Sequence, residues 1–168
     1  MRRREFIRLF TSTVVAWPLA ARAQQPRGKM RRLGVLLPGA PPDPLVEAMQ
    51  GRLRELGYSE GRDVAFEFRW AEGKLERLTQ LAMELVDLKV DVITAFSTPA
   101  GIAAQKATTT SPIVFSAVGD PVGTGLVSNL ARPGGNVTGL SLLATELAAK
   151  RLEILQEIAP QMSPLYVL

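Results

Sequence analysis

The sequence predicts an α/β fold, a parallel sheet with helices on its faces, and three observations carry the prediction. Short apolar runs alternate regularly with amphipathic stretches from about residue 31 onward, the pattern of strands joined by crossover helices. The first run, Leu33 to Leu37, is nearly continuous in its hydrophobicity, as a buried strand requires. Several runs stop at Pro, Gly or Ser/Thr clusters, which punctuate strand ends.

The elements follow in order. Arg32–Leu37 is a buried first strand stopped by Pro38-Gly39. A helix is expected from Pro44 to Leu56, with Asp43 as N-cap, Gly57 closing it, and Leu45, Met49, Leu53 and Leu56 at helical spacing. Asp63–Trp70 alternates polar and apolar residues, so it reads as a strand with one face less covered, such as an edge strand. Leu75–Leu88 is a second amphipathic helix. Val90–Phe96 is a third strand, Ala100–Thr108 a helix rich in small residues, and Pro112–Val118 a fourth strand. Gly125–Ala131 is a short helix or turn, Arg132–Asn136 a loop, and Val137–Leu140 a fifth strand. Thr145–Ile158 is a last helix, stopped before Pro160. The final run, Pro164–Leu168, is the start of another strand, too short to form a ladder alone, and the chain reads as truncated.

Ahead of this body lies a leader. Met1–Arg8 holds four arginines, Leu9–Ala21 is apolar over 13 residues, and Ala21-Arg22-Ala23 is a small-x-small cleavage site, together the three parts of an export signal over residues 1–23. Arg3-Arg4-Glu5-Phe6 matches the core of a twin-arginine signal. Sec export stays open because Arg2 stands where Ser or Thr is usual. The apolar stretch, broken by Pro18, is shorter than the roughly 20 residues of a membrane span. The reading places the protein in the periplasm, with membrane contact only through the leader before cleavage.

Removing the leader changes the chemistry. Taking its five arginines and one glutamate from the chain's 20 basic and 16 acidic residues leaves fifteen of each, so the net charge of +4 belongs to the leader. The basic balance that points to nucleic acid disappears. Residues 24–30 form a polar linker, and the 145 residues after the leader suffice for one lobe. With no Cys and no His, the chain builds no disulfide, thiolate nucleophile, Cys/His zinc site or Ser-His-Asp triad. No cofactor, metal or catalytic residue is expected.

In an open parallel sheet ligands bind outside the carboxyl ends of the strands. That singles out Pro38 and Gly39, Ser97 and Thr98, Gly119 and Asp120, and Ser141. They offer hydroxyls, helix-start amides and one carboxylate, a set suited to holding a small polar solute. Each has an ordinary reading as well: Ser97 and Thr98 as helix N-caps, Asp120 as an N-cap or Asx-turn residue. Gly34 reads as a close-packing contact. Gly123 and Gly125 make no dinucleotide fingerprint, because Ser128 stands at the third glycine position. Gly139-Leu140-Ser141 lacks the second glycine of a nucleophile elbow.

Longer motifs carry a resemblance. Gly51-x4-Leu56-Gly57-Tyr58-x2-Gly61-Arg62, the block Gly119-Asp120-Pro121-Val122-x2-Gly125-Leu126-Val127-x2-Leu130-Ala131-Arg132-Pro133-Gly134-Gly135-Asn136-Val137-Thr138-Gly139, and Lys150-Arg151-Leu152-Glu153 resemble the ABC-transporter substrate-binding proteins of the TrpX type. The resemblance implies the type I periplasmic binding fold, in which two Rossmann-like lobes close on a ligand. It implies that residues 31–143 are the N-terminal lobe and that 144–168 hold a crossover helix and the first strand of a missing C-terminal lobe. It further implies a small-molecule solute such as an amino acid, delivered to an inner-membrane ABC permease, with the seven residues named above lining this lobe's side of the cleft. Phe96 and Phe115 are the aromatics expected near the loops, both as core residues. Two other readings stand beside it: an α/β enzyme fragment using Asp120 and Glu72, and an effector-binding domain of a regulator, against which the leader argues.

Overall fold

The computed structural model describes residues 29–142 and 144–159; the leader and the expected strand at Pro164–Leu168 lie outside them. A five-stranded, all-parallel sheet forms the body, in the order β2-β1-β3-β4-β5. Its strands are β1 (Arg31–Leu37), β2 (Val64–Trp70), β3 (Val92–Phe96), β4 (Ile113–Val118) and β5 (Val137–Ser141). The helices are α1 (Pro44–Glu55), α2 (Leu78–Asp87) after a 3-10 turn at Leu75–Arg77, α3 (Thr98–Ala107) and α4 (Ala144–Ile158).

The direction of the connections decides which face each helix covers. The chain moves one way from β1 to β2 and the opposite way through β3 and β4. Right-handed crossovers therefore put α1 on one face and α2 and α3 on the other. Two cores result. Leu33, Val35 and Leu37 of β1 pack with Val46 of α1 and with Phe66, Phe68 and Trp70 of β2. On the opposite face Leu36 joins Leu81, Leu85, Ile93, Ala100, Ala104 and Phe115. β1 is thus covered on both sides, which is why its apolar run is continuous, and the alternating β2 lies at the sheet edge as expected.

Local chemistry sets the element ends. The Asp43 carboxylate accepts from the amides of Leu45 (2.8 Å) and Val46 (3.3 Å) and caps α1. At its other end Gly57 adopts φ +90°, while its amide and that of Tyr58 reach back to the Arg54 and Leu53 carbonyls, a Schellman closure. Lys89, at φ 52°, closes α2 in the same way. Gly34 is a packing contact: a Cβ there would sit 3.1 Å from Leu85 and Val90 side-chain atoms.

Gly125–Ala131 takes the turn of its two expected readings, with Leu126 and Val127 buried. Two expectations shift. Helix α3 starts at Thr98 rather than Ala100, because Pro99 sits in the first turn, where its missing N–H is no loss. The expected α1 stripe turns by one position: Val46 is buried with Met49 and Leu53 beside it, whereas Leu45 and Leu56 are exposed. The reason lies in the sheet. Its α1 face is covered over β1 and β2, and Leu45 instead borders an apolar groove of about 470 Å³ that continues over Phe96, Val114 and Leu140.

Candidate functional site

The candidate residues lie along the carboxyl edge of the sheet. The strand order reverses between β1 and β3, which makes their carboxyl ends the switch point where ligands of such sheets bind. Pro38 and Gly39 follow β1, and Ser97 and Thr98 follow β3, so the structure sets these two pairs side by side. Gly119 and Asp120 come next, after β4, and Ser141 ends β5 at the far edge. With strands about 4.8 Å apart, Ser141 lies roughly 14 Å across the sheet from the end of β1. Pro38, Gly39, Ser97 and Thr98 are therefore the expected residues nearest the switch point.

Ser97 is unlike its neighbours. Its backbone is at φ 90°, ψ 162°, a region nearly reserved for glycine and costing about 1–3 kcal/mol for other residues. Its amide donates to the Ser116 carbonyl at 2.9 Å and its carbonyl accepts from Gly101 at 3.0 Å, so β4 on one side and α3 on the other impose that conformation. The side chain does not cap α3, contrary to the expectation for a serine at this place. Its Oγ is buried and has no hydrogen-bond partner, alone in this among the side-chain polar atoms of the described residues. Orphaning a buried hydroxyl costs about 1–3 kcal/mol. Beside it, the first-turn amides of Thr98 and Ala100 have no intrahelical acceptor, and the α3 dipole favours an anionic group there.

Backbone strain gathers along this edge. Besides Lys89 at its helix end, the described non-glycine residues with positive φ are Ser97, Glu72 (φ 55°) just after β2, and Ala117 (φ 58°) near the end of β4. Ala117 lies where the β4–β5 register slips between Phe115 and Val118, a bulge that re-aims the strand end. Such residues cluster at ligand sites, where the surrounding structure enforces them.

The remaining expected residues sort clearly. Asp120 takes its ordinary reading: its carboxylate accepts from the Gly123 amide at 2.7 Å and its carbonyl accepts from Thr124 Oγ1 at 2.7 Å. A Cβ at Gly123 would collide with that carboxylate, so glycine there is part of the turn. Glu72 pairs with Arg77 at 3.1 Å. The two carboxylates of an acid/base reading are thus engaged separately. Gly39 has open space where a Cβ would stand, which leaves the backbone approachable. Thr98 also borders a groove of about 390 Å³ between α2 and α3, with Pro99, Leu78 and Ile102. Among the described residues no group of three His, Cys, Asp or Glu side chains could hold a metal.

One part of the edge is not among the four expected loops. The turn after β2 is tied to the β1 loop, with the amides of Ala71, Glu72 and Gly73 donating to the carbonyls of Leu37, Gly39 and Pro38 at 2.8–2.9 Å. It brings Trp70 level with Leu37. Phe96 and Phe115 are core residues as expected, 6% and 2% exposed, whereas Trp70 keeps part of its surface accessible. The alternation of Phe66, Phe68 and Trp70 along one face of an edge strand was the available signal.

Known proteins resemble this chain in sequence and in overall fold. The sequence profile of the ABC transporter substrate binding proteins matches residues 36–168. A tyrosine-binding protein of Clostridioides difficile (strain R20291) is 38% identical over 110 residues, 65% of this chain and 31% of that protein. A Streptococcus pneumonia ABC domain solved in complex with L-Trp is 33% identical and superposes with a TM-score of 0.63, over 67% of this chain and 39% of that one. A conserved domain protein of Vibrio cholerae is 34% identical with a TM-score of 0.68, covering 79% of this chain and 45% of that one. The ligand-free, open form of a substrate binding protein with adhesive properties from Clostridium difficile is 26% identical with a TM-score of 0.61, over 79% and 54% of the two chains. The chain therefore spans about a third to a half of the length of these relatives. Profile, relatives and sheet order agree: the chain belongs to the ABC transporter substrate binding proteins.

Proposed function

We propose that this chain is the N-terminal lobe of an exported solute-binding component of an ABC transporter, with residues 31–143 as the lobe and 144–168 as the crossover toward a second one. It takes a small-molecule solute, an amino acid with an aromatic side chain, at the carboxyl edge of its sheet and serves a permease in the inner membrane. The observation that carries the reading is Ser97: a strained backbone and a buried, unpartnered hydroxyl at the start of α3 supply a donor beside amides suited to a carboxylate. Pro38, Gly39 and Thr98 complete the near side of the site, with Gly119, Asp120 and Ser141 further along the edge. The role is binding rather than catalysis, since Asp120 and Glu72 are each held by other partners.

The aromatic preference is supported by the relatives, one called tyrosine-binding and one solved with L-Trp. Export to the periplasm through a twin-arginine signal cleaved after Ala23 is supported by the leader's three parts. A single lobe lacks the contacts that desolvate the other side of a ligand, so a Kd in the millimolar range, about −4 kcal/mol, is expected. Saturation-transfer NMR over amino acids and sugars tests this. Signals from L-tryptophan and L-phenylalanine that vanish in Ser97→Val support the reading; equal signals from sugars, or none from any amino acid, contradict it.

A further inference from the structure

We propose that Trp70 is the aromatic wall of this site, the surface on which the ring of an aromatic amino acid stacks while its carboxylate lies at the start of α3; this rests on the solute-binding reading above. Trp70 is the last residue of β2, directly opposite Leu37. Leu36 lies opposite Ala95, so Leu37 is in turn level with Phe96. The three side chains form a row across the top of the α1-side core, immediately beneath Pro38 and Ser97. Leu37 and Phe96 are buried at its centre, whereas Trp70, at the edge, is only half-buried.

Its orientation is held rather than free. The Trp70 ring stacks on Phe68 at 6.0 Å between centroids and 20° between planes, and Phe68 stacks on Phe66 at 5.7 Å and 19°. A pre-positioned ring loses little freedom when a ligand stacks on it. The loop between Trp70 and the helix start is held too, by the Glu72 and Gly73 amides on the Gly39 and Pro38 carbonyls. Strand spacing separates the ends of β2 and β3 by about 10 Å, and stacked rings lie about 4.5–7 Å apart. An amino acid with its carboxylate at Thr98 and its ring toward Trp70 bridges that distance, across the open side of Gly39.

The sequence provides a direct reporter, because Trp17 and Trp70 are its only tryptophans. In the full 168-residue chain carrying Trp17→Phe, uniformly labelled with 15N, the single indole N–H belongs to Trp70. Titration with L-phenylalanine is expected to move that resonance with the same saturation curve as the Ser97 and Thr98 amides, while L-alanine moves the amides alone. Trp70→Leu is expected to weaken L-phenylalanine binding at least fivefold and leave L-alanine unchanged; Trp70→Phe, which keeps a ring, restores most of the difference. Ser97 and Thr98 amides that titrate with L-phenylalanine while the indole stays still overturn this role for Trp70 and leave the solute reading intact. If no amide of the carboxyl edge moves with any amino acid, both fall.

Discussion

The two ends of one sheet are built on opposite principles. At the amino ends of the strands each start is anchored by a polar side chain. Arg31 and the Arg32 amide hold Asp91 (3.2 and 2.7 Å), and the Arg32 guanidinium reaches the Leu88 carbonyl (2.6 Å) and Glu67 (2.8 Å). Asp63 accepts from the Ser59 amide at 2.8 Å and from Arg62 at 2.9 Å. Asn136 donates to the carbonyls of Thr108 and Ser111, which joins the starts of β4 and β5. The carboxyl ends instead carry strain at Glu72, Ser97 and Ala117 and an orphaned hydroxyl. One end is tied together by polar side chains, while the other holds a strained backbone and a hydroxyl without a partner among the described residues. On the proposed reading, function is drawn from the end where stability was left incomplete.

The comparison predicts that changes at the amino end alter folding but not binding. The largest effect is expected from Arg32→Ala, which removes a part-buried guanidinium with two hydrogen-bond partners and lowers stability by about 2 kcal/mol. Urea unfolding measures the loss, and the amino-acid affinity stays as in the parent. At the carboxyl end the signs invert. Ser97→Gly relieves φ 90° and removes the orphaned hydroxyl, for a gain of about 1 kcal/mol and a melting temperature higher by about 3–5 °C, with amino-acid binding reduced. A Ser97→Gly variant that melts lower breaks the comparison.

Acid sharpens it further. Hydrogen bonds from Arg62 and the Ser59 amide hold the Asp63 carboxyl below its ordinary value, and the Arg32 amide, then Arg31, do the same for Asp91. A carboxyl whose folded pKa is depressed contributes stability above the ordinary aspartate value of about 4 and loses it as pH falls through the lower folded one. Stability therefore declines below about pH 4, and Asp63→Asn with Asp91→Asn flattens that decline in urea midpoints measured against pH. Gly39→Ala has the smallest effect on folding, because a Cβ there meets nothing; it is expected to leave the urea midpoint unchanged and to weaken binding severalfold by crowding the solute.

The two ends also differ in how far the sequence discloses them. The strand order of events, the edge character of β2, the Asp43 cap and the Gly57 closure are local, and period, capping chemistry and turn residues disclose them directly. Asp120 behaves as an Asp before Pro and a glycine-rich turn ordinarily does. Ser97 is different: a serine before a helix signals a cap, and only the bonds from β4 and α3 on its two sides turn the hydroxyl away from that task. Trp70 was hidden for a similar reason, since its place beside Pro38 depends on backbone hydrogen bonds between two separate loops. The exposure of Leu45 depends on how far α1 covers its face of the sheet, with Leu45 bordering the groove over Phe96, Val114 and Leu140, a property of topology rather than of α1's own sequence. Where a residue's role is set by its own segment it is legible, and where neighbouring strands set it, it is not.

Amide chemical-shift mapping of the 168-residue chain with L-tryptophan tests the contrast between the two ends most directly. Shifts confined to the carboxyl edge, around Gly39, Ser97 and Thr98, with Arg31, Asp63, Asp91 and Asn136 unmoved, are the predicted result. Shifts concentrated at those four amino-end residues, or spread evenly over both ends, would contradict it.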